Sequence, residues 1–167
     1  MLEQGDWTKP DASDEFLVAL GAVAYWSGRV EGGLFWLATS LIDGWSFGHD
    51  DPDERALAAT RGLNFDALRQ LVVRVLDLRG RGSHSEFRNT LKEAETLMKL
   101  RNRYIHGDWW PDEGEPDLSI THRSWRGVEL SEVPLIELRA LASKLADVSE
   151  RVGRAHADLH STPVASP

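Results

Sequence analysis

Three observations predict an all-α fold, an antiparallel bundle of four or five helices with one small β-hairpin before the last helix. Apolar residues recur at the 3.6-residue period over long stretches, at about 14–42, 64–78, 86–106 and 131–160. The connections between them are short and rich in Gly, Asp, Ser and Pro, which favours neighbouring helices packed side by side. Strand-like alternation is confined to Leu118–Leu130. The 167 residues suit a single domain, placed at 13–160, with a polar lead at 1–12 and a frayed tail at 161–167.

The first helix is capped by Ser13 or Asp11, with Asp14 and Glu15 at the positive end of its dipole. Phe16, Leu17, Leu20, Val23, Ala24, Leu34, Leu37 and Leu41 form its apolar stripe. Four glycines (Gly21, Gly28, Gly32, Gly33) lower its intrinsic stability by about 1 kcal/mol each and allow a kink near Gly28, so one helix or two is compatible with the pattern. Gly28 and Gly32 also permit close helix approach. The turn-forming stretch at 43–52 precedes a short helix that Pro52, Asp53 and Glu54 open and that ends near Gly62.

Asn64 caps the next helix, with Phe65, Leu68, Val72, Val75 and Leu76 in phase, and the Gly-containing break at 79–82 ends it. Ser83 or Ser85 starts a helix reaching His106, with Phe87, Leu91, Ala94, Leu97, Met98 and Ile105 inward and Gly107 placed to terminate it. An acidic loop at 111–117 leads to the hairpin turning at Arg126-Gly127. The last helix begins at Ser131 or Glu132 and carries Leu135, Leu138, Leu141, Leu145, Val148 and Val152 inward.

Composition excludes several classes. There is no cysteine, so disulfides, thiolate metal sites and cysteine nucleophiles are absent, which suits a reducing cytoplasm. The start has no basic-then-apolar signal pattern, and the longest apolar stretch, 16–42, is interrupted by Arg29 and Glu31, so no membrane span is expected. Hydrolase, dinucleotide and P-loop motifs are missing. The net charge of −8 resides in the first 60 residues. Between Arg69 and His106, by contrast, nine Lys and Arg face four Asp and Glu, a local excess that fits a small anion site rather than an extended nucleic-acid footprint.

The densest chemistry lies in Arg101-Asn102-Arg103-Tyr104-Ile105-His106. Asn102 and His106 are about 40° apart around a helix, whereas Arg101 and His106 are about 140° apart, so Arg101 must reach or a partner must help. Arg101 extends the apolar stripe, and a guanidinium on packed surface needs an anion. An Arg and a His at a helix C-terminus can also cap its carbonyls or bind a partner's carboxylate.

Arg101, Asn102 and His106 match the Arg-Asn-x-x-x-His signature of the HEPN superfamily, which this chain resembles in motif, motif position and helical pattern over about 14–155. The resemblance implies a metal-independent endoribonuclease acting as a homodimer, with the motifs of two subunits facing each other. In that chemistry the RNA 2′-OH attacks the adjacent phosphate, giving a 2′,3′-cyclic phosphate and a 5′-OH. His106 would move protons, Arg101 would stabilise the phosphoryl oxygens, and Asn102 would orient His106 or hold a phosphate. No cofactor is expected. The implied partners are RNA, a second copy and an antitoxin or regulatory protein, in a toxin or phage-defence setting. Some members are modified by a partner enzyme on a Tyr two positions after the motif His; here that position is Asp108, so the carry-over stops at Arg101, Asn102 and His106. The alternative is a non-catalytic HEPN module that binds a nucleotide, RNA or a protein.

Further candidates each have a plainer reading. Lys99 and Arg103, with Arg88 and Lys92, can extend a phosphate track or form a solvated helix face. Trp109 can stack on a base, as can Trp110, or either can plug the core. Glu31 can serve as an acid near the motif or as an ordinary arginine partner. His156 and His160 have metal-pair spacing beside Asp158, but no third ligand is evident and a solvated helix end explains them.

Overall fold

The computed structural model describes residues 13–43, 54–78, 85–111, 118–124 and 127–161. Five helices make up most of it: α1 Asp14–Asp43, α2 Glu54–Thr60, α3 Phe65–Leu78, α4 Ser85–Ile105 and α5 Leu135–Ser161. Three strands, β1 Asp108–Pro111, β2 Leu118–Ser124 and β3 Gly127–Val133, pair antiparallel in the order β1-β2-β3 between α4 and α5.

Local chemistry accounts for the helix starts. The Phe16 N–H donates to Ser13 Oγ at 3.2 Å, and the Ala67 N–H donates to Asn64 Oδ1 at 3.0 Å, each satisfying an orphan donor of a first turn. Beyond the end of α2, Gly62 has φ +80°, the left-handed conformation that closes a helix most cheaply with glycine. α4 ends at Ile105, two residues before Gly107.

α1 is one uninterrupted helix, packed against α5, α3, α2 and α4. Its buried face is Phe16, Ala19, Val23, Ser27, Val30, Leu34, Leu37 and Leu41, whereas Leu17 and Ala24, expected inside, are exposed. Gly28 and Gly32 face open space. The close approach is made instead by Gly33, where an added Cβ would lie 3.0 Å from Val152 Cγ1 of α5.

Residue pairs across the helices give their directions. α3 and α4 run antiparallel, as shown by Arg69 with Glu95 and Asp77 with Arg88. α4 and α5 are also antiparallel, linked by Arg151 with Glu93 and Tyr104 with Glu137. α1 and α5 are parallel: Glu15 meets Arg139, Gly33 meets Val152, and Ser40 meets His156. The expected arrangement of purely antiparallel neighbours is corrected here. Two- to five-residue turns enforce antiparallel neighbours, but the 44–64 connection carries α2 and is long enough for the chain to return before α3 starts.

The segment before α5 also differs from expectation. Asp108–Pro111 is a strand, in register with Leu118–Thr121, so a third strand joins the two expected at 118–130. Ser131 and Glu132 belong to β3 rather than to α5. Pro134 explains the shift, because the residue before proline is driven to extended backbone and the helix starts only after it; the Glu137 N–H closes the first turn on Pro134 O at 2.9 Å. The expectations at 1–12, 44–53, 79–84, 112–117, 125–126 and 162–167 fall outside the described residues.

Candidate functional site

Arg101, in the C-terminal turn of α4, reaches the middle of α1. Arg101 Nε donates to Ser27 Oγ at 3.0 Å, and Arg101 Nη1 donates to Asn102 Oδ1 at 2.8 Å. Ser27 is fully buried and its hydroxyl donates to Ala24 O at 2.9 Å, so its oxygen lone pairs face Arg101. Arg101 is half-buried. Its guanidinium is therefore aimed by two neutral oxygens, and among the described residues it forms no ion pair.

That distinguishes it from the half-buried Arg69, Arg88 and Arg151. Arg69 and Lys99 share Glu95, Arg88 pairs with Asp77, Arg139 with Glu15, and Arg151 with Glu93 and Asp147. The bond to Lys99, and then the charge of Arg69, hold the Glu95 carboxyl below its ordinary range. A cation whose charge is already met by a carboxylate has less left for a phosphate.

The rest of the motif is only partly assembled. Asn102 and His106 are exposed, one helical turn apart, and the His106 backbone N–H donates to Asn102 O at 3.1 Å just beyond the end of α4. No hydrogen bond joins the His106 imidazole to Arg101 or Asn102 among the described residues. Arg101 reaches into α1, while His106 lies past the helix end.

The other predicted site residues lie apart from Arg101. Lys99 and Arg103 are one turn from each other and about 160° around α4 from Arg101. Lys99 is ion-paired at 2.8 Å, and Arg103 is half-buried beside Tyr104. A continuous phosphate track is thus not formed. Trp109 lies in β1, in register with Ile120. Tyr104, 5% exposed, donates to Glu137 Oε2 at 3.3 Å; burial, then the Glu137 charge, pushes its phenol above the ordinary tyrosine range.

Two residues that sequence reasoning passed over hold these contacts. Ser27 is in phase with Val23, Val30 and Leu34, and a polar residue on an apolar stripe is the signal that marks it. Ser40 donates to Trp36 O at 2.8 Å and lies 3.0 Å from His156 Nε2. His156 therefore faces α1 instead of standing on a solvated helix end. Among the described residues no three His, Asp or Glu side chains gather as a metal site, and no helix is long and apolar enough to cross a membrane.

Comparison with known proteins finds no matching family, no similar curated protein and no similar solved structure. The functional reading therefore rests on this chain's own residues and geometry.

Proposed function

We propose that the protein is a metal-independent endoribonuclease of HEPN type acting as a homodimer in the cytoplasm, in an antiparallel-bundle frame modified by the parallel α1–α5 pair. Arg101 carries this reading, as a half-buried guanidinium aimed by Ser27 and Asn102 with no carboxylate partner among the described residues. It is prepared to bind the non-bridging oxygens of a phosphate, which gain charge as the phosphorane forms.

In the reaction, an imidazole of His106 takes the proton of the RNA 2′-OH as that oxygen attacks phosphorus. The P–O5′ bond breaks, and a protonated imidazole returns a proton to the departing 5′-oxygen. The products are a 2′,3′-cyclic phosphate and a 5′-OH. Because Arg101 and His106 are not joined within one chain, a second copy supplies the complementary half of the site. Asn102, already bonded to Arg101, positions the guanidinium, and Trp109 stands two residues beyond Gly107 for contact with a flanking base. A toxin or defence role, with an antitoxin or other regulator restraining it, completes this reading.

A second reading is favoured by the His106 imidazole, which has no hydrogen bond to Arg101 or Asn102 among the described residues: a non-catalytic module that binds RNA, a nucleotide or a protein anion at Arg101. Incubation with single-stranded and structured RNA in EDTA separates the two. The nuclease gives cleavage that His106→Ala and Arg101→Ala each abolish. The binding module gives affinity without turnover, weakened by Arg101→Ala alone.

A further inference from the structure

The outward face of α1 is unlike that of the other long helices. Of its exposed positions between Leu17 and Ile42, Arg29 is the single charged one among the described residues. The exposed positions of α4 include Glu86, Lys92, Glu93 and Lys99, and those of α5 include Glu137, Arg139, Lys144 and Glu150. On α1, Val18 is 72% exposed, Tyr25 60% and Trp36 45%. Taken at 100° per residue, Val18, Tyr25, Gly32 and Trp36 lie within about 40° of one another, on the side away from Val23, Ser27 and Val30. Such a strip on a soluble chain marks a contact surface.

The spacing of aromatic residues and glycines along the strip is complementary to itself. Gly21, Gly28 and Gly32 all open onto empty space, with nothing within 4 Å of an added Cβ. Gly21 and Gly32 are eleven residues apart, and so are Tyr25 and Trp36, close to three helical turns. One antiparallel register therefore sets Tyr25 opposite Gly32 of a second α1 and Trp36 opposite its Gly21, with Gly28 and Arg29 astride the two-fold axis. The aromatic knobs are already ordered, since Tyr25 is edge-on to Trp26 at 5.0 Å and Trp36 edge-on to Phe35 at 5.2 Å.

We infer that two copies of this chain associate through α1 against α1 in that antiparallel, two-fold register, with Tyr25 and Trp36 seated over the glycines of the partner helix. The contact is isologous, as a closed pair requires. The 20 residues from Leu17 to Trp36 span about 30 Å, and a strip that long and about 10 Å wide covers roughly 600 Å² over both copies. That is below the roughly 1,200 Å² of standard stable interfaces, and the register brings the two like-charged Arg29 side chains together at the axis, so the pairing is reversible and belongs to the weak class.

This inference is independent of the ribonuclease reading. Ser27, where α1 receives Arg101, lies on the buried side of the helix, so the strip is a different surface from one that would join two Arg101–His106 halves.

The absence of native cysteine makes the register directly testable. At high micromolar concentration under mild oxidation, Gly28→Cys, beside the axis, forms a disulfide-linked dimer. Val18→Cys, which the register places about 30 Å from its counterpart, does not. Adding Gly32→Leu to Gly28→Cys, which fills the cradle of Tyr25, lowers the linked yield about tenfold or more. Adding His106→Ala leaves it unchanged, which separates this pairing from assembly through the motif. Linkage at residue 28 no greater than at residue 18, or linkage indifferent to Gly32→Leu, overturns the inference. Gly32 faces open space, so the leucine fits the isolated chain, and circular dichroism of each variant verifies its helix content.

Discussion

At the scale of single residues, one serine decides where the motif arginine points. Without Ser27, Arg101 Nε loses its acceptor in a half-buried position, which costs about 1–2 kcal/mol. Ser27→Ala is therefore expected to lower the melting temperature by several degrees. It should also weaken RNA binding without altering the ends of any product, as thermal unfolding and a binding titration measure. Tyr104 makes a separate prediction. Its phenol holds its proton more tightly in the folded than in the unfolded chain, so its contribution to stability is present below the ordinary tyrosine value and is lost as pH rises past about 10. Tyr104→Phe removes the bond to Glu137, costing about 1 kcal/mol at neutral pH. Between pH 9 and 11 its melting temperature should then fall less steeply than that of the wild type, and equal slopes would refute the assignment.

Among the elements, the α1–α5 contact turns on one glycine. Gly33→Leu forces bulk against Val152 and is expected to destabilise by about 1–3 kcal/mol. Gly28→Ala and Gly153→Ala, both facing open space, each stabilise by about 0.5–1 kcal/mol through helix propensity. Chemical denaturation of the three variants checks the contrast. The α4–α5 pairing depends on Arg151, which binds Glu93 at 2.6 Å, Asp147 at 2.9 Å and Thr90 Oγ1 at 3.3 Å. Arg151→Met should cost about 1–2 kcal/mol at low salt and less at 1 M salt, where the ion pairs are screened.

For the molecule as a whole, period and caps were legible in the sequence because they are local. Ser13, Asn64 and the stripe from Phe87 to Met98 each report on a helix by themselves. What escaped was set by tertiary partners. Gly28, Gly32 and Gly33 are equivalent to a propensity argument, and only the position of α5 makes Gly33 the close contact. The parallel course of α1 and α5 depends on how the 44–64 connection returns, which periodicity does not encode. Ile105 continues the apolar stripe in the sequence, yet Tyr104 is the buried residue, because a tyrosine with Glu137 in reach is satisfied there. Of the candidate site, Arg101 and Asn102 are joined, whereas Lys99, Arg103 and His106 are directed by Glu95, the far face of α4 and the helix end.

The proposed chemistry is metal-free transesterification on RNA by Arg101 and His106. Its most direct measurement is the identity of the ends produced in EDTA, read by mass spectrometry for the wild type beside His106→Ala. The wild type is expected to give 2′,3′-cyclic phosphate and 5′-OH ends and the variant none, with a single 2′-deoxy substitution at the cleaved position blocking the reaction. Cleavage that persists in His106→Ala, or 5′-phosphate ends, would contradict it.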